Sequence, residues 1–208
     1  MLISFEGIDG SGKSTHAHRL AAYLKSQKYP VVIVRDPGTT KIGEAIRTIL
    51  LNNEFSEMYA RTELLLYAAS RSQLVKEQIL PFLKDGGFVI TDRFYDSTTA
   101  YQGFGRSLDL NLVRQLNAIG AHGLVPHLTF ILDIDLKYAG ERLINMGKAD
   151  RIETENITFK QKVRQAYLEM AKTEPERCIL IPASRDIEEN TLAIRHITLK
   201  KIHETLKK

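Results

Sequence analysis

"LISFEGIDGSGKSTHAHRLAAYLKSQK", residues 2–28, divides into a strand, a glycine-rich turn and a helix. Residues 2–6 are apolar on both alternations, as in a strand covered on both faces of a parallel sheet. Residues 13–28 then carry apolar positions at helical spacing. Between them "GIDGSGKS", Gly7 to Ser14, fits the pattern GxxxxGK[ST] in the setting that pattern requires, strand before and helix after. Glycines let the backbone curl so that its N–H groups point inward, and the helix N-terminus adds a favourable potential for a polyphosphate. A nucleoside-triphosphate site is therefore expected at Gly7, Ile8, Asp9, Gly10, Ser11, Gly12, Lys13, Ser14 and Thr15. Lys13 is expected to reach the β- and γ-phosphates of ATP, and the Ser14 hydroxyl to help hold Mg2+.

Outward from this loop the same alternation repeats. Short apolar runs at "VVIVR" (31–35), "FVIT" (88–91), "LTFILDI" (128–134) and "CILIP" (178–182) read as four more buried strands. Helical patterns lie between and after them, at 41–51, from about Glu57 to Phe82, and at 109–120, 136–146, 157–173 and 186–207. Five strands alternating with helices predict an α/β fold: a five-stranded parallel sheet with helices on both faces and ligands at the carboxyl ends of the strands. No linker, repeat or low-complexity tract interrupts residues 1–208, so a single domain is expected.

Composition narrows the function classes. The hydrophobic share of 43% and charged share of 26% are those of a globular domain. No apolar run is long enough to cross a bilayer, and no signal peptide is read before the first strand, so no membrane role is expected. One cysteine, Cys178, excludes an internal disulfide and a cysteine zinc cluster, and suits the cytoplasm. The net charge of +4 owes much to "LKKIHETLKK" at the end, which reads as a solvated helix rather than a nucleic-acid surface. Elsewhere the arginines stand singly, as suits a small polyanion held in one cleft better than a duplex. A base reader of the NKxD type is absent, which sets GTPases aside.

Two further stretches carry chemistry. "DRFYDSTTAYQGFGR", residues 92–106, follows a buried strand yet holds little that belongs in a core. Asp92 is placed to act on the metal, or simply to cap the next segment of chain, while Arg93 can grip a phosphate bidentately. In "ELLLYAASRSQ", Tyr67 and Arg71 stand four residues apart and share a helix face. They could stack a base and donate to its carbonyl, or serve as a core tyrosine and a surface arginine. Arg47 is the only cation late in an apolar helix, and by itself such a residue is more often a snorkelling one.

Together these segments resemble the thymidylate kinase family, over nearly the whole chain and with the motifs in order. "FEGIDGSGKST", "RDPGTT", "YAASRSQ" and above all "DRFYDSTTAYQGFGR" carry the likeness. The resemblance implies a nucleoside monophosphate kinase-like fold with a short lid at about residues 140–155, ATP as donor, dTMP as acceptor, Mg2+ and a homodimer packed through helices. It further implies that Tyr67 stacks on thymine, that Arg71 donates to a thymine carbonyl, and that Thr98 and Gln102 read the base edge. Tyr101 would crowd the sugar 2′ position, Arg93 and Arg47 would hold the acceptor phosphate, and Asp9 would meet the 3′-hydroxyl or the metal region. Asp36 and Thr39 stand where the family usually has Glu followed by a second Gly, and the shorter carboxylate would sit differently near the acceptor phosphate.

The chain departs from the family in its lid, "ERLINMGKADRIE". The phosphate loop has no arginine, so the lid is expected to supply the catalytic cation, yet its middle holds Asn145, Met146 and Lys148. Arg142 is the first choice and Arg151 the second, alongside Lys13 and Arg93 as catalytic residues; Arg151 could instead pair with nearby carboxylates. Tyr167 either closes over the acceptor or belongs to the core. Two other functions stay open on the residues alone. One is a kinase for another nucleoside monophosphate or a deoxynucleoside. The other is an inactive nucleotide-binding regulatory module.

Overall fold

A computed structural model describes residues 1–144, 149–184 and 186–206. Five parallel strands, β1 (Leu2–Glu6), β2 (Val31–Arg35), β3 (Phe88–Asp92), β4 (Leu128–Asp133) and β5 (Cys178–Pro182), form one sheet in the order β2-β3-β1-β4-β5. Strand alternation divides the core. Ile3, Phe5, Ile90, Phe130 and Leu132 face a layer made by α1 (Lys13–Ser26) and α9 (Ile187–Leu206), where Ala17, Leu20, Ala21, Leu24, Ile194 and Ile202 meet them. Leu2, Val34 and Val89 face the opposite layer, which includes α3 (Ala60–Leu74). Ile131 packs there with Val163, Ala166 and Tyr167 of α8 (Ile157–Thr173). A fully buried aliphatic side chain contributes about 1.5–3 kcal/mol, so this double-sided cover is what holds the sheet.

The remaining helices are α2 (Lys41–Leu51), α4 (Leu80–Lys84), α5 (Tyr95–Thr98), α6 (Leu110–Gly120) and α7 (Leu136–Ile144). Their starts reflect local chemistry. The Thr40 hydroxyl caps α2 by accepting from the Gly43 N–H at 2.9 Å, and Asp109 and Asn156 cap α6 and α8. The pattern predicts one helix from about Glu57 to Phe82. The structure starts it at Ala60 and opens it into a π-helical turn at Val75–Ile79 before α4. Pro81 explains the change: a proline has no N–H to donate and crowds the preceding turn, which a widened turn relieves. Residues 95–105, to which the pattern assigns no element, are helical throughout, α5 continuing as a π segment at Thr99–Gly105.

Sheet order positions the site. β3 lies beside β1 with Phe5 in register with Asp92, so the turns after Glu6 and after Asp92 leave the sheet side by side. β2 adds Asp36 at the same end, followed by a cis bond to Pro37.

Candidate active site

The phosphate loop is shaped by close backbone approach. A Cβ on Gly7 would stand 2.4 Å from the Leu132 carbonyl oxygen, and one on Gly10 2.8 Å from that of Ala139. Both residues also have positive φ, 130° and 79°, so glycine is required twice over. Gly12 leads into α1 with no side-chain cap, which leaves first-turn N–H groups for a ligand to satisfy. Lys13 donates to the Ile8 carbonyl at 2.9 Å and lies 3.5 Å from Asp9. Burial, reinforced by the Arg93 charge, lowers the pKa of its ammonium. The Ser14 hydroxyl donates to the Asp92 carboxylate. Asp9 to Thr15 line one long groove with His16, Asp92, Arg142, Ala183 and Ile187. Gly7 and Ile8 contribute through their carbonyls, which accept from Arg93 and Lys13.

Arg93 is the centre of the arrangement. It sits at φ 69°, a left-handed conformation that costs a non-glycine residue about 1 kcal/mol or more and persists only where neighbours impose it. Its Nη1 donates to Gly7 O at 3.0 Å, Ser97 Oγ at 3.0 Å and Tyr167 Oη at 3.3 Å. Its Nη2 donates to Asp9 at 2.5 Å and Tyr101 Oη at 3.2 Å. The guanidinium also lies over the Tyr101 ring, 5.0 Å from its centroid. Burial works against charge on Arg93, but Asp9 outweighs it and raises the pKa. For Asp9 burial likewise opposes the ionised form, and Arg93 with Lys13 holds it well below the usual carboxylate range.

A second cavity opens on the other side of Arg93. All nine residues named for the acceptor line it: Asp9, Asp36, Arg47, Tyr67, Arg71, Arg93, Thr98, Tyr101 and Gln102. Asp9, Asp36, Arg47 and Arg93 line both this cavity and the phosphate groove, so the two meet at a wall of two carboxylates and two guanidiniums. Arg71 is buried and held from three sides, by Asp36 at 2.5 Å, Thr98 at 2.8 Å and Asn117 at 3.3 Å. The Asp36 Oδ2 accepts from Arg71 and so aims that guanidinium, while Asp36 stays on the wall that both cavities share. Burial raises the Asp36 pKa despite the pairing. Arg47 donates to Pro37 O at 3.1 Å and has no carboxylate at ion-pair distance among the described residues. It is only partly buried, and burial followed by Arg35 lowers its pKa.

Arg142 and Arg151 part company. Arg142 is exposed and donates to the Gly10 carbonyl at 3.1 Å, at the edge of the phosphate groove. Arg151 is 6% exposed, donates to Leu50 O at 2.9 Å and to Glu63 at 2.6 Å, and lines neither cavity. A guanidinium tied into a buried carboxylate is not free to meet a transferring phosphoryl, so the alternative of carboxylate pairing is the one observed. Asn145, Met146 and Lys148 lie outside the described residues.

Some participants escape a local reading. Glu6 is wholly buried at the end of β1 and accepts from Phe94 N at 2.7 Å, Ser97 Oγ at 2.5 Å and Tyr167 Oη at 3.0 Å, the last two being partners of Arg93. Burial and the nearby Asp96 push its carboxyl up to about 7, against the Arg93 charge and the hydrogen bonds from Ser97 and Phe94. Tyr167 is therefore both core and site. The signal for Glu6 was an acid closing an otherwise buried strand; Ser97 lies inside the 92–106 stretch but stood out no more than its neighbours.

The profile of the thymidylate kinase family matches residues 5–194. The chain belongs to the thymidylate kinase family. It is 46% identical to the thymidylate kinase of Kosmotoga olearia over 188 residues, 90% of each chain. It is 45% identical over 206 residues to that of Caldanaerobacter subterraneus subsp. tengcongensis, covering 99% of this chain and 96% of the other. The crystal structure of the thymidylate kinase of Ehrlichia chaffeensis superposes with a TM-score of 0.76 at 35% identity, over 95% of this chain and 98% of that one. The five-stranded parallel sheet is thus the nucleoside monophosphate kinase-like fold of this family. Among the described residues no helix is long and apolar enough to cross a membrane, and no group of three or more His, Cys, Asp or Glu gathers as a metal site.

Proposed function

We infer that this chain transfers the γ-phosphoryl group of ATP to dTMP, giving ADP and dTDP. The observation that carries this is the shared wall: a polyphosphate groove and a base-sized cavity with an aromatic side and fixed polar groups join at Asp9, Asp36, Arg47 and Arg93. Two phosphorylated ligands entering from opposite sides would bring their phosphates together there. Phosphoryl transfer runs through a loose, charge-spread transition state, so positioning and charge neutralisation supply most of the catalysis. Lys13 and the α1 N-terminus take the donor phosphates, Arg93 and Arg47 hold the acceptor phosphate in line, and Arg142 supplies the lid charge. The attacking group is an already ionised phosphate oxygen, so no strong base is needed. On the base side Tyr67 stacks, Arg71 donates to a carbonyl, Thr98 and Gln102 read the edge, and Tyr101, locked between Arg93 and Asp9, closes the 2′ side of the sugar.

Ser14 and Asp92 suit Mg2+, being a hydroxyl and a carboxylate already in contact beside the loop, and this ion takes few protein oxygens and several from phosphate and water. When bound, it would draw charge off the donor phosphates. The segment at about 140–155 acts as the lid, excluding water during transfer. The protein works as a homodimer in the cytoplasm. Ile42 and Ile49 on α2, Leu65 on α3 and Ile119 on α6 are exposed apolar side chains on helices that pack side by side, as a helix-mediated contact requires. The test is ADP release from ATP in the presence of dTMP by the wild type, Lys13→Ala and Arg93→Ala. Turnover that falls by several orders of magnitude in Lys13→Ala supports the donor assignment, and an unchanged rate refutes it.

A further inference from the structure

Glu63 lies on α3 one turn before Tyr67 and two before Arg71, so the three share one helix face. It is wholly buried. Its Oε1 accepts from the Gln102 amide nitrogen at 2.8 Å and from Arg106 Nε at 3.1 Å, and its Oε2 from Arg106 Nη2 at 3.0 Å and Arg151 Nη2 at 2.6 Å. Burial disfavours the charged form, but the hydrogen bonds from Arg106 and Gln102 and the two guanidinium charges outweigh it and lower the Glu63 pKa.

An ionised carboxylate only accepts, whereas a glutamine amide has two ends of equal shape and opposite hydrogen-bond polarity. Facing Glu63, Gln102 must present its NH2, whichever way the amide would turn if left free. Its carbonyl oxygen receives no donor from the described residues, and Gln102 lines the acceptor cavity together with Arg71. The cavity therefore offers an acceptor from Gln102 and donors from Arg71. A pyrimidine with a carbonyl at C4 and N–H at N3 presents the complementary pair. Cytosine, with an amino group at C4 and a bare N3, presents the opposite one.

We propose that Glu63 is a positioning residue for base specificity, which holds the Gln102 amide carbonyl-outward and so selects 4-keto over 4-amino pyrimidine nucleotides. This rests on the dTMP-kinase reading of the same cavity. Arg106 and Arg151 fix Glu63 in turn. In Glu63→Gln, the new amide's oxygen is drawn to the position where Arg106 and Arg151 converge. Its nitrogen then faces Gln102, which must reverse and turn its NH2 toward the base.

The experiment measures kcat/KM for dTMP and for dCMP, with Mg-ATP, in the wild type, Glu63→Gln and Gln102→Leu. The expected result is a dTMP:dCMP ratio at least tenfold lower in Glu63→Gln, with dCMP gaining in relative terms. A merely structural role would depress both substrates alike and leave the ratio unchanged, which would overturn the proposal. Gln102→Leu keeps the Glu63–arginine pairs and serves should Glu63→Gln fail to fold. Its ratio should also fall, through a higher KM for dTMP; a ratio that rises means the amide faced the other way and the proposal is wrong. A wild type that does not prefer dTMP to dCMP would instead remove the functional reading beneath it.

Discussion

Glu6 shows how much of this site depends on a group that never needs to touch a substrate. Its carboxylate sits under Arg93, joined to it through Ser97 and Tyr167. Charged or titratable groups face it from several elements: Arg93 after β3, Asp96 on α5, Tyr167 on α8 and Lys13 on α1. With the folded pKa raised from 4.5 to about 7, the folded state holds a proton that the unfolded chain has released across that window. Stability contributed by this group therefore falls as pH rises from about 4.5 to about 7 and stays at its lower level above. In Glu6→Gln that slope should vanish, so urea unfolding at pH 5 and pH 7.5 should show a smaller loss in the variant than in the wild type. Equal losses would mean that Glu6 does not titrate in this range. Local pattern finds the residue types of the site, Lys13, Arg71 and Arg93 among them. It misses Glu6 because Ser97 and Tyr167 are 91 and 161 positions away in the chain. Local pattern leaves Arg151 between two roles for the same reason, its partner Glu63 being 88 positions off.

Arg142 and Arg151 differ in their surroundings, and so in the effects expected of removing them. Arg142, near the end of α7, reaches the rim of the phosphate groove from an exposed position, so Arg142→Ala should cut kcat roughly 10²-fold or more while leaving Tm nearly unchanged. Arg151 bridges α2 and α3 from the turn that precedes α8. Arg151→Ala removes a charge-assisted hydrogen bond from a buried carboxylate, which should cost about 2 kcal/mol and lower Tm by roughly 5 °C. Thermal melts and initial rates on the two variants decide the matter; a catalytic loss in Arg151→Ala with an unchanged melt would reverse the assignment. Helices and strands were legible because their signals are local. β1, β2 and β5 match the apolar runs, and the π-helical turn after α3 traces to Pro81. The helical segment at 95–105 was not legible, because its inward-facing residues, Thr98, Tyr101 and Gln102, are polar or amphipathic and give no apolar stripe.

For the molecule as a whole, the sheet order gathers the ends of β1, β2 and β3 under one cleft, and chain segments from Glu6 to Tyr167 converge there. The outer faces of α2, α3 and α6 leave Ile42, Ile49, Leu65 and Ile119 exposed, and a second copy is expected on that side. Sedimentation equilibrium should give a dimer mass at micromolar concentration, shifted toward monomer by Leu65→Glu; a monomeric wild type would contradict it. Transfer between two phosphorylated ligands is expected to run across the Arg93 wall. Its most direct test supplies γ-labelled ATP and Mg2+ with a panel of dTMP, dUMP, UMP, dCMP, AMP and thymidine, and tracks the label. Label is expected in dTDP, with strong preference for dTMP and no transfer to thymidine, which lacks the phosphate that Arg93 and Arg47 would hold. Label appearing only as inorganic phosphate, or transferred to thymidine as readily as to dTMP, would contradict it.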